Sequence, residues 1–166
     1  MRPLCTIKLL KGEEIHLLDE LQERYVFYRL AHTDFEECLQ ILSKLPKIED
    51  AQVKLALVKY AIVSYYRPFS GSNPVHRERK WKLDEALVTD METHDAVKRY
   101  RMHLIAHSDL EYRQPSLGRT GGVFPISYKG FYYEEYMHIV QPLENLATSM
   151  WSIMGELITA YETDHF

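Results

Sequence analysis

The segment with the clearest capacity for chemistry carries two arginines and two histidines between Arg99 and His107. The guanidinium of Arg101 offers a fork of hydrogen-bond donors that suits the charge of a phosphate undergoing substitution. The imidazole of His107 titrates near neutral pH, so it can accept a 2′-hydroxyl proton or protonate a leaving oxygen. The pair therefore predicts RNA cleavage without metal, with Arg101 stabilising the phosphate charge and His107 acting as general acid or base.

Arg101 and His107 are six residues apart, which leaves them about 120° apart around an ideal α-helix. They converge only if the helix ends near Ala106. Ser108 and Asp109, followed by a segment rich in Pro and Gly, favour such an end. We expect Asp109 to orient His107. We expect His103 to be a supporting residue of the site. The alternative is a buried network of Arg, His and Asp that only caps the helix.

Other residue patterns indicate neither a metal nor a nucleophile. His103 and His107 share a helix face, but Leu104 stands where the zinc-protease motif needs Glu. The Glu-x-x-His motif that ends at His138 has no second copy, which a di-iron bundle requires. The two cysteines make neither a disulfide framework nor a zinc cluster, and Cys38 falls in an apolar helix stripe. We predict no metal and no cofactor.

The apolar periodicity predicts helices over residues 13–45, 50–66, 81–106 in two pieces, and 132–162. Thr33 and Glu36 resemble a capping box that breaks the first helix near His32. Pro142 predicts a kink in the last helix or a start nearer that residue. Residues 123–128 are strand-like. We therefore predict one all-α domain over residues 1–166, a bundle of four to five helices with a hairpin-like or loop insertion before the last helix.

The net charge of −4 argues against a protein that coats nucleic acid over its whole surface. All 20 Lys and Arg lie within the first 129 residues, so a local basic cleft is compatible with the acidic total. Arg77, Arg79 and Arg99 are candidates for contacts to an RNA backbone. No apolar run approaches the ~20 residues of a membrane span, and no signal peptide is recognisable. We predict a cytoplasmic protein without membrane contact.

The motif Arg101-x5-His107-Ser-Asp109 resembles that of the HEPN superfamily, specifically its abortive-infection type, and Tyr66-Arg-Pro-Phe69 is also similar to that group. The resemblance implies a homodimer in which two Arg/His pairs face each other across the interface. It implies metal-independent endoribonuclease activity in a toxin–antitoxin or antiphage system, with an antitoxin or another protein as partner. We expect Arg67 to pair with Asp109 beside the site, or else to form a structural salt bridge between helix ends.

Active members of that superfamily usually carry Asn, Asp or His directly after the Arg, whereas this chain has Met102. The alternative function is therefore a catalytically inactive bundle that binds a partner protein or a small ligand. An aromatic patch at residues 128–136 belongs either to the core, to a dimer surface or to a platform for base stacking.

Overall fold

The computed structural model describes residues 6–8, 14–16, 20–71, 80–105, 116–117, 126–127 and 136–165. The protein is an all-α bundle, and its described residues form four α-helices: α1 (Glu20–Leu42), α2 (Ala51–Tyr66), α3 (Met91–Arg99) and α4 (Val140–His165). A π-helical turn, Tyr100–Ile105, continues α3. Helix α1 packs against both α2 and α4, and α3 also packs against both.

Within the described residues, two short antiparallel strand pairs accompany the helices. Strand β1 (Thr6–Lys8) pairs with β2 (Glu14–His16), with Ile7 opposite Ile15. Strand β3 (Ser116–Leu117) pairs with β4 (Ile126–Ser127). The second hairpin confirms a hairpin in the insertion before the last helix.

The core is formed where the apolar stripes of the helices meet. Helix α1 contributes residues spaced four, three and four apart, and α4 contributes a stripe of the same kind. Buried members are Ala31, Phe35, Cys38 and Leu42 from α1, Val58, Ile62 and Tyr65 from α2, and Leu143, Leu146, Met150 and Met154 from α4. Cys38 is completely buried, as its place in the apolar stripe predicts.

Aspartates determine where two of the helices begin. The carboxylate of Asp50 accepts hydrogen bonds from the backbone N–H groups of Gln52 and Val53, at 2.8 and 2.9 Å. The carboxylate of Asp90 accepts from the Thr93 N–H at 3.0 Å and from its hydroxyl at 2.6 Å. Such caps satisfy N–H groups that have no partner within the helix. Helix α2 ends as predicted, at a 3₁₀ turn formed by Arg67–Phe69.

Three predicted boundaries are wrong. Residues 14–16 form a strand and α1 begins at Glu20, because period-two and helical apolar patterns coincide over so short a stretch. Helix α1 does not break near His32, since the Thr33 hydroxyl donates back to the Arg29 carbonyl at 3.0 Å. The helical part of residues 81–90 is limited to a 3₁₀ turn, Glu85–Leu87, because Asp84 and Asp90 each start a new turn.

The last helix begins at Val140, which confirms the predicted alternative of a start near Pro142, and this proline lies in its first turn. This position removes no helical hydrogen bond, because the first N–H groups of a helix have no partner within it.

Candidate functional site

The predicted site residues divide into those that the structure describes and those outside it. Arg99, Arg101 and Arg67 lie in described segments. His103 belongs to the π-helical turn Tyr100–Ile105. The remaining predicted residues, His107, Asp109, Arg77 and Arg79, lie outside the described residues.

Arg101 sits in a turn of unusual geometry. The turn Tyr100–Ile105 is π-helical, so its hydrogen bonds span five residues and it is wider than an α-helix. The ideal α-helical angle between Arg101 and His107 therefore does not apply over this part of the chain. Single π-helical turns within helices occur frequently at functional sites.

The guanidinium carbon of Arg101 lies 5.4 Å from the centroid of the Tyr66 ring, at the C-terminal end of α2. This is the geometry of a cation–π contact. Its Nη1 also lies 3.1 Å from the sulfur of Met102, which is a weak acceptor. Over the described part of the chain, no carboxylate oxygen lies within 4 Å of the Arg101 guanidinium. Its position is thus held by a ring and a thioether, neither of which neutralises the charge.

Tyr66 belongs to a buried aromatic cluster that also contains Tyr65, Phe69 and His94. The His94 ring centroid lies 4.6 Å from that of Phe69 and 5.7 Å from that of Tyr66. The Tyr65 hydroxyl and the His94 Nδ1 are 2.9 Å apart, within hydrogen-bond distance. The cluster gives Tyr66 a rigid backing, so the ring face under Arg101 is fixed in place.

His94 is completely buried, and burial lowers its pKa because an imidazolium would lose its hydration. Its Nε2 has no hydrogen-bond partner among the described residues. The sequence analysis did not single out His94, since Glu92-Thr-His94 does not have the spacing of a metal-binding motif. The available signal was its spacing: three residues before the buried Val97, on the inner side of a helix capped by Asp90.

Arg67 has different surroundings, and the partner predicted for it does not appear among the described residues. Its Nη1 pairs with Asp34 at 2.9 Å and with Glu37 at 2.6 Å, both from α1. Asp109 lies outside the described residues. A local pattern in α2 cannot reveal partners that lie 30 and 33 residues earlier in the chain, so the sequence did not point to these two carboxylates.

Glu37 also accepts hydrogen bonds from the hydroxyls of Tyr60 and Ser64, both at 2.7 Å. Burial acts to raise the pKa of Glu37, but the hydrogen bonds from Tyr60, Ser64 and Arg67 outweigh it and hold the pKa below its ordinary value. Burial dominates at Asp34 and raises the pKa of that carboxyl despite Arg67. Glu37 is therefore the centre of a polar network that ties α2 to α1.

Basic side chains near Arg101 differ in their partners. Lys98 pairs with Glu85 at 3.2 Å, and the hydrogen bond to that carboxylate is the main cause of its raised pKa. Arg99 is exposed at the end of α3, and within the described segments no carboxylate pairs with it. The hydroxyl of Tyr100 lies 3.3 Å from Nε2 of His138, so a second histidine approaches the π-helical turn.

Elsewhere, a shallow groove of about 530 Å³ lies between α1 and α4. The His32 and Trp151 ring centroids lie 5.0 Å apart with their planes tilted by 33°, and Gly155 lines the groove beside them. The described segments hold no cluster of three or more His, Cys, Asp or Glu side chains arranged to bind a metal ion. None of the described helices has both the length and the apolar character of a membrane span.

No protein-family profile, no curated protein and no solved structure matches the chain. The arrangement of residues at the end of α3 therefore carries the functional argument.

Proposed function

We propose that this protein binds RNA at the end of α3 and cleaves it without a metal ion. Arg101 stabilises the charge that develops on the phosphate, and His107 serves as general acid or base. The observation that carries the proposal is the Arg101 guanidinium above Tyr66, with no carboxylate within ion-pair distance among the described residues. The role of His107 is taken from the resemblance to the HEPN superfamily. The same resemblance gives His103 and Asp109 supporting roles.

The contact with Tyr66 suits phosphate binding for a physical reason. A ring face attracts the guanidinium through its quadrupole and leaves the charge in place, unlike a carboxylate, which neutralises it. The N–H groups at the guanidinium edge then form charge-assisted bonds to phosphate oxygens, which are stronger than bonds between neutral groups. Because Tyr66 is buried in the aromatic cluster and holds the guanidinium in place, the Arg101 side chain loses little conformational entropy when RNA binds.

Arg99 extends the proposed RNA contact beyond Arg101. It is exposed two residues earlier, at the junction of α3 with the π-helical turn. Arg77 and Arg79 are further proposed contacts to the RNA backbone. Phosphate contacts release counterions, so we expect RNA affinity to fall steeply as salt is raised.

The biological setting follows from the same resemblance. We propose a cytoplasmic homodimer that acts as the toxin of a toxin–antitoxin pair or in abortive infection, with an antitoxin or another protein as its partner.

The test is cleavage of mixed RNA in EDTA by the wild type, Arg101→Gln and His107→Ala. Arg29→Gln is the matched control, because Arg29 is an exposed arginine on α1 far along the chain from the site. We expect cleavage by the wild type and by the control, and a loss of about 100-fold or more in the two site variants. Circular dichroism must show that all four proteins are folded. Absence of cleavage by the wild type at high concentration would overturn the proposal of catalysis.

Met102 favours a second candidate function, an inactive bundle that binds a protein or a small ligand. Its thioether occupies the position after Arg101 where active members of the resembling superfamily carry a polar group, and it contacts Arg101 directly. The groove beside Trp151 offers such a bundle a place for a small ligand. RNA affinity that is negligible, or that does not change with salt, would favour this second function.

A further inference from the structure

A short turn at residues 136–139 brings an exposed histidine to the end of α3. Tyr136 is completely buried and Ile139 is buried as well, whereas His138 between them is exposed. The N–H of Ile139 donates to the Tyr136 carbonyl at 3.2 Å, and the N–H of Leu143 in α4 donates to the Ile139 carbonyl at 2.8 Å. The backbone is thus anchored on both sides of His138, so its side chain stands on a rigid support.

The His138 ring is held at its edge by Tyr100. Its Nε2 lies 3.3 Å from the Tyr100 hydroxyl, and the two rings meet at 70° with their centroids 6.5 Å apart. A ring nitrogen forms hydrogen bonds in the plane of the imidazole, so this bond does not cover the faces of the ring. The Tyr100 ring is itself supported, because its centroid lies 4.9 Å from that of the buried Tyr136.

Tyr100 and Arg101 are consecutive residues of the π-helical turn, and their side chains leave it in different directions. Arg101 lies over Tyr66 of α2, whereas Tyr100 packs against the turn that precedes α4. The π-helical turn therefore carries a guanidinium on one side and holds an exposed imidazole on the other. An RNA strand with one phosphate on Arg101 reaches His138 with a neighbouring nucleotide.

We propose that His138 stacks an unpaired base of the RNA strand whose phosphate Arg101 binds. This inference rests on the proposed RNA-binding function, and it names the substrate class, which is single-stranded RNA. Aromatic side chains, including histidine, stack bases that are splayed out of a single strand, whereas an A-form duplex keeps its bases stacked within the helix. Every base has a π-face, so His138 adds affinity with little sequence preference.

The aromatic patch predicted at residues 128–136 has a different part in this arrangement. Residues 128–135 lie outside the described residues, and Tyr136 is completely buried. Tyr136 therefore belongs to the core and supports the Tyr100 ring from beneath, instead of meeting a base itself. The ring that is open to a base is that of His138, two residues beyond the patch.

Fluorescence anisotropy with a short labelled strand of 2′-O-methyl RNA tests the stack. The methyl groups block the hydroxyl that would attack the phosphate, so binding is measured without cleavage. We expect His138→Ala to weaken binding about tenfold, whereas His138→Phe, which keeps an aromatic face, stays within about threefold of the wild type. The matched control is His165→Ala, which removes an exposed histidine at the opposite end of α4 and should leave binding unchanged. Circular dichroism checks the fold of each variant.

A strand with abasic positions tests the base directly and needs only the wild-type protein. It keeps the phosphates but offers no ring to stack, so we expect the wild type to bind it about tenfold more weakly than the complete strand. His138→Ala should bind the two strands equally. A duplex of the same sequence should be bound equally by the wild type and by His138→Ala, because its bases stay within the helix.

The outcomes separate this inference from the function on which it rests. If the wild type binds the complete strand but neither His138→Ala nor the abasic strand loses affinity, the stacking role is wrong and RNA binding stands. Binding by His138→Phe that is as weak as that of His138→Ala would also overturn the stacking role, because the ring face would then contribute nothing. A wild type that binds no RNA would overturn the proposed function and the stacking role together.

Discussion

Arg67 and Arg101 show how one residue type is used in two ways at neighbouring places in this bundle. Both guanidinium groups lie over a tyrosine ring of α2, Arg67 at 5.5 Å from Tyr60 and Arg101 at 5.4 Å from Tyr66. Arg67 is also bound by two carboxylates of α1, whereas Arg101 has none within reach among the described residues. The aromatic contact is common to both, so the acidic partners decide the role.

The two arginines therefore differ in how much charge each can offer to a ligand. A guanidinium already paired with two carboxylates offers little net charge to a phosphate, and its bonds stabilise the contact of α2 with α1. A guanidinium held only by a ring keeps its charge for a ligand. Charge that is left unpaired adds little to stability and is available for function.

The largest expected effects come from exchanging the two arginines for glutamine in turn. Arg101→Gln should lower RNA cleavage about 100-fold and change the free energy of unfolding by less than ~0.5 kcal/mol. Arg67→Gln should do the reverse, lowering stability by ~1–2 kcal/mol because Glu37 and Asp34 lose their cation, with little direct effect on cleavage. Cleavage assays and urea unfolding measure both effects in both variants. If the two variants lost cleavage and stability to the same extent, the proposed difference between Arg67 and Arg101 would be wrong.

Glu37→Ala examines the network that holds Arg67. We expect a loss of about 2 kcal/mol, because Tyr60, Ser64 and Arg67 lose a common acceptor and the Ser64 hydroxyl is buried. Urea denaturation at neutral pH measures it, with Glu36→Ala as control on the exposed side of α1.

The lowered pKa of Glu37 adds a pH dependence to that network. Its contribution to stability is present above the ordinary pKa of about 4.5 and is lost as pH falls through the lowered folded-state value. If Glu37→Ala unfolds at the same urea concentration as the wild type, the network has no stabilising role.

The smallest effect concerns His94, which backs Tyr66 and thus the Arg101 region. Because burial lowers its pKa in the folded protein, the unfolded chain binds its proton more readily below the ordinary pKa of 6.5. Stability due to His94 is therefore complete above about pH 6.5 and declines as pH falls below that value, by at most ~1.4 kcal/mol per pH unit. Unfolding free energies at several pH values should show a shallower slope for His94→Phe than for the wild type.

Sequence patterns predicted some features of the fold and missed others. Periodicity predicted α2, its end at Arg67-Pro68 and the burial of Cys38, because these depend on spacing within one helix. It misassigned residues 14–16, where three residues are too few to distinguish a strand from a helix. It did not reveal the pairing of Arg67 with Asp34 and Glu37, which arises only when α1 and α2 pack together.

The candidate site was predictable in part for the same reason. The Arg101 and His107 motif is a local pattern, so it can be read directly from the chain. The backing of Tyr66 by His94 joins α2 to α3 and depends on tertiary packing. His94 is a polar residue in an otherwise apolar cluster, and composition alone gives no reason to place it there.

The burial of Cys38 has a consequence for how this molecule meets reactive small molecules. The thiol is wholly enclosed between helices, and burial raises its pKa to about 12. The thiolate that reacts with alkylating agents and oxidants is therefore almost absent while the bundle stays closed. The rate at which this sulfur is labelled therefore reports how often the bundle opens, because the reagent reaches Cys38 only when α1 separates from its neighbours.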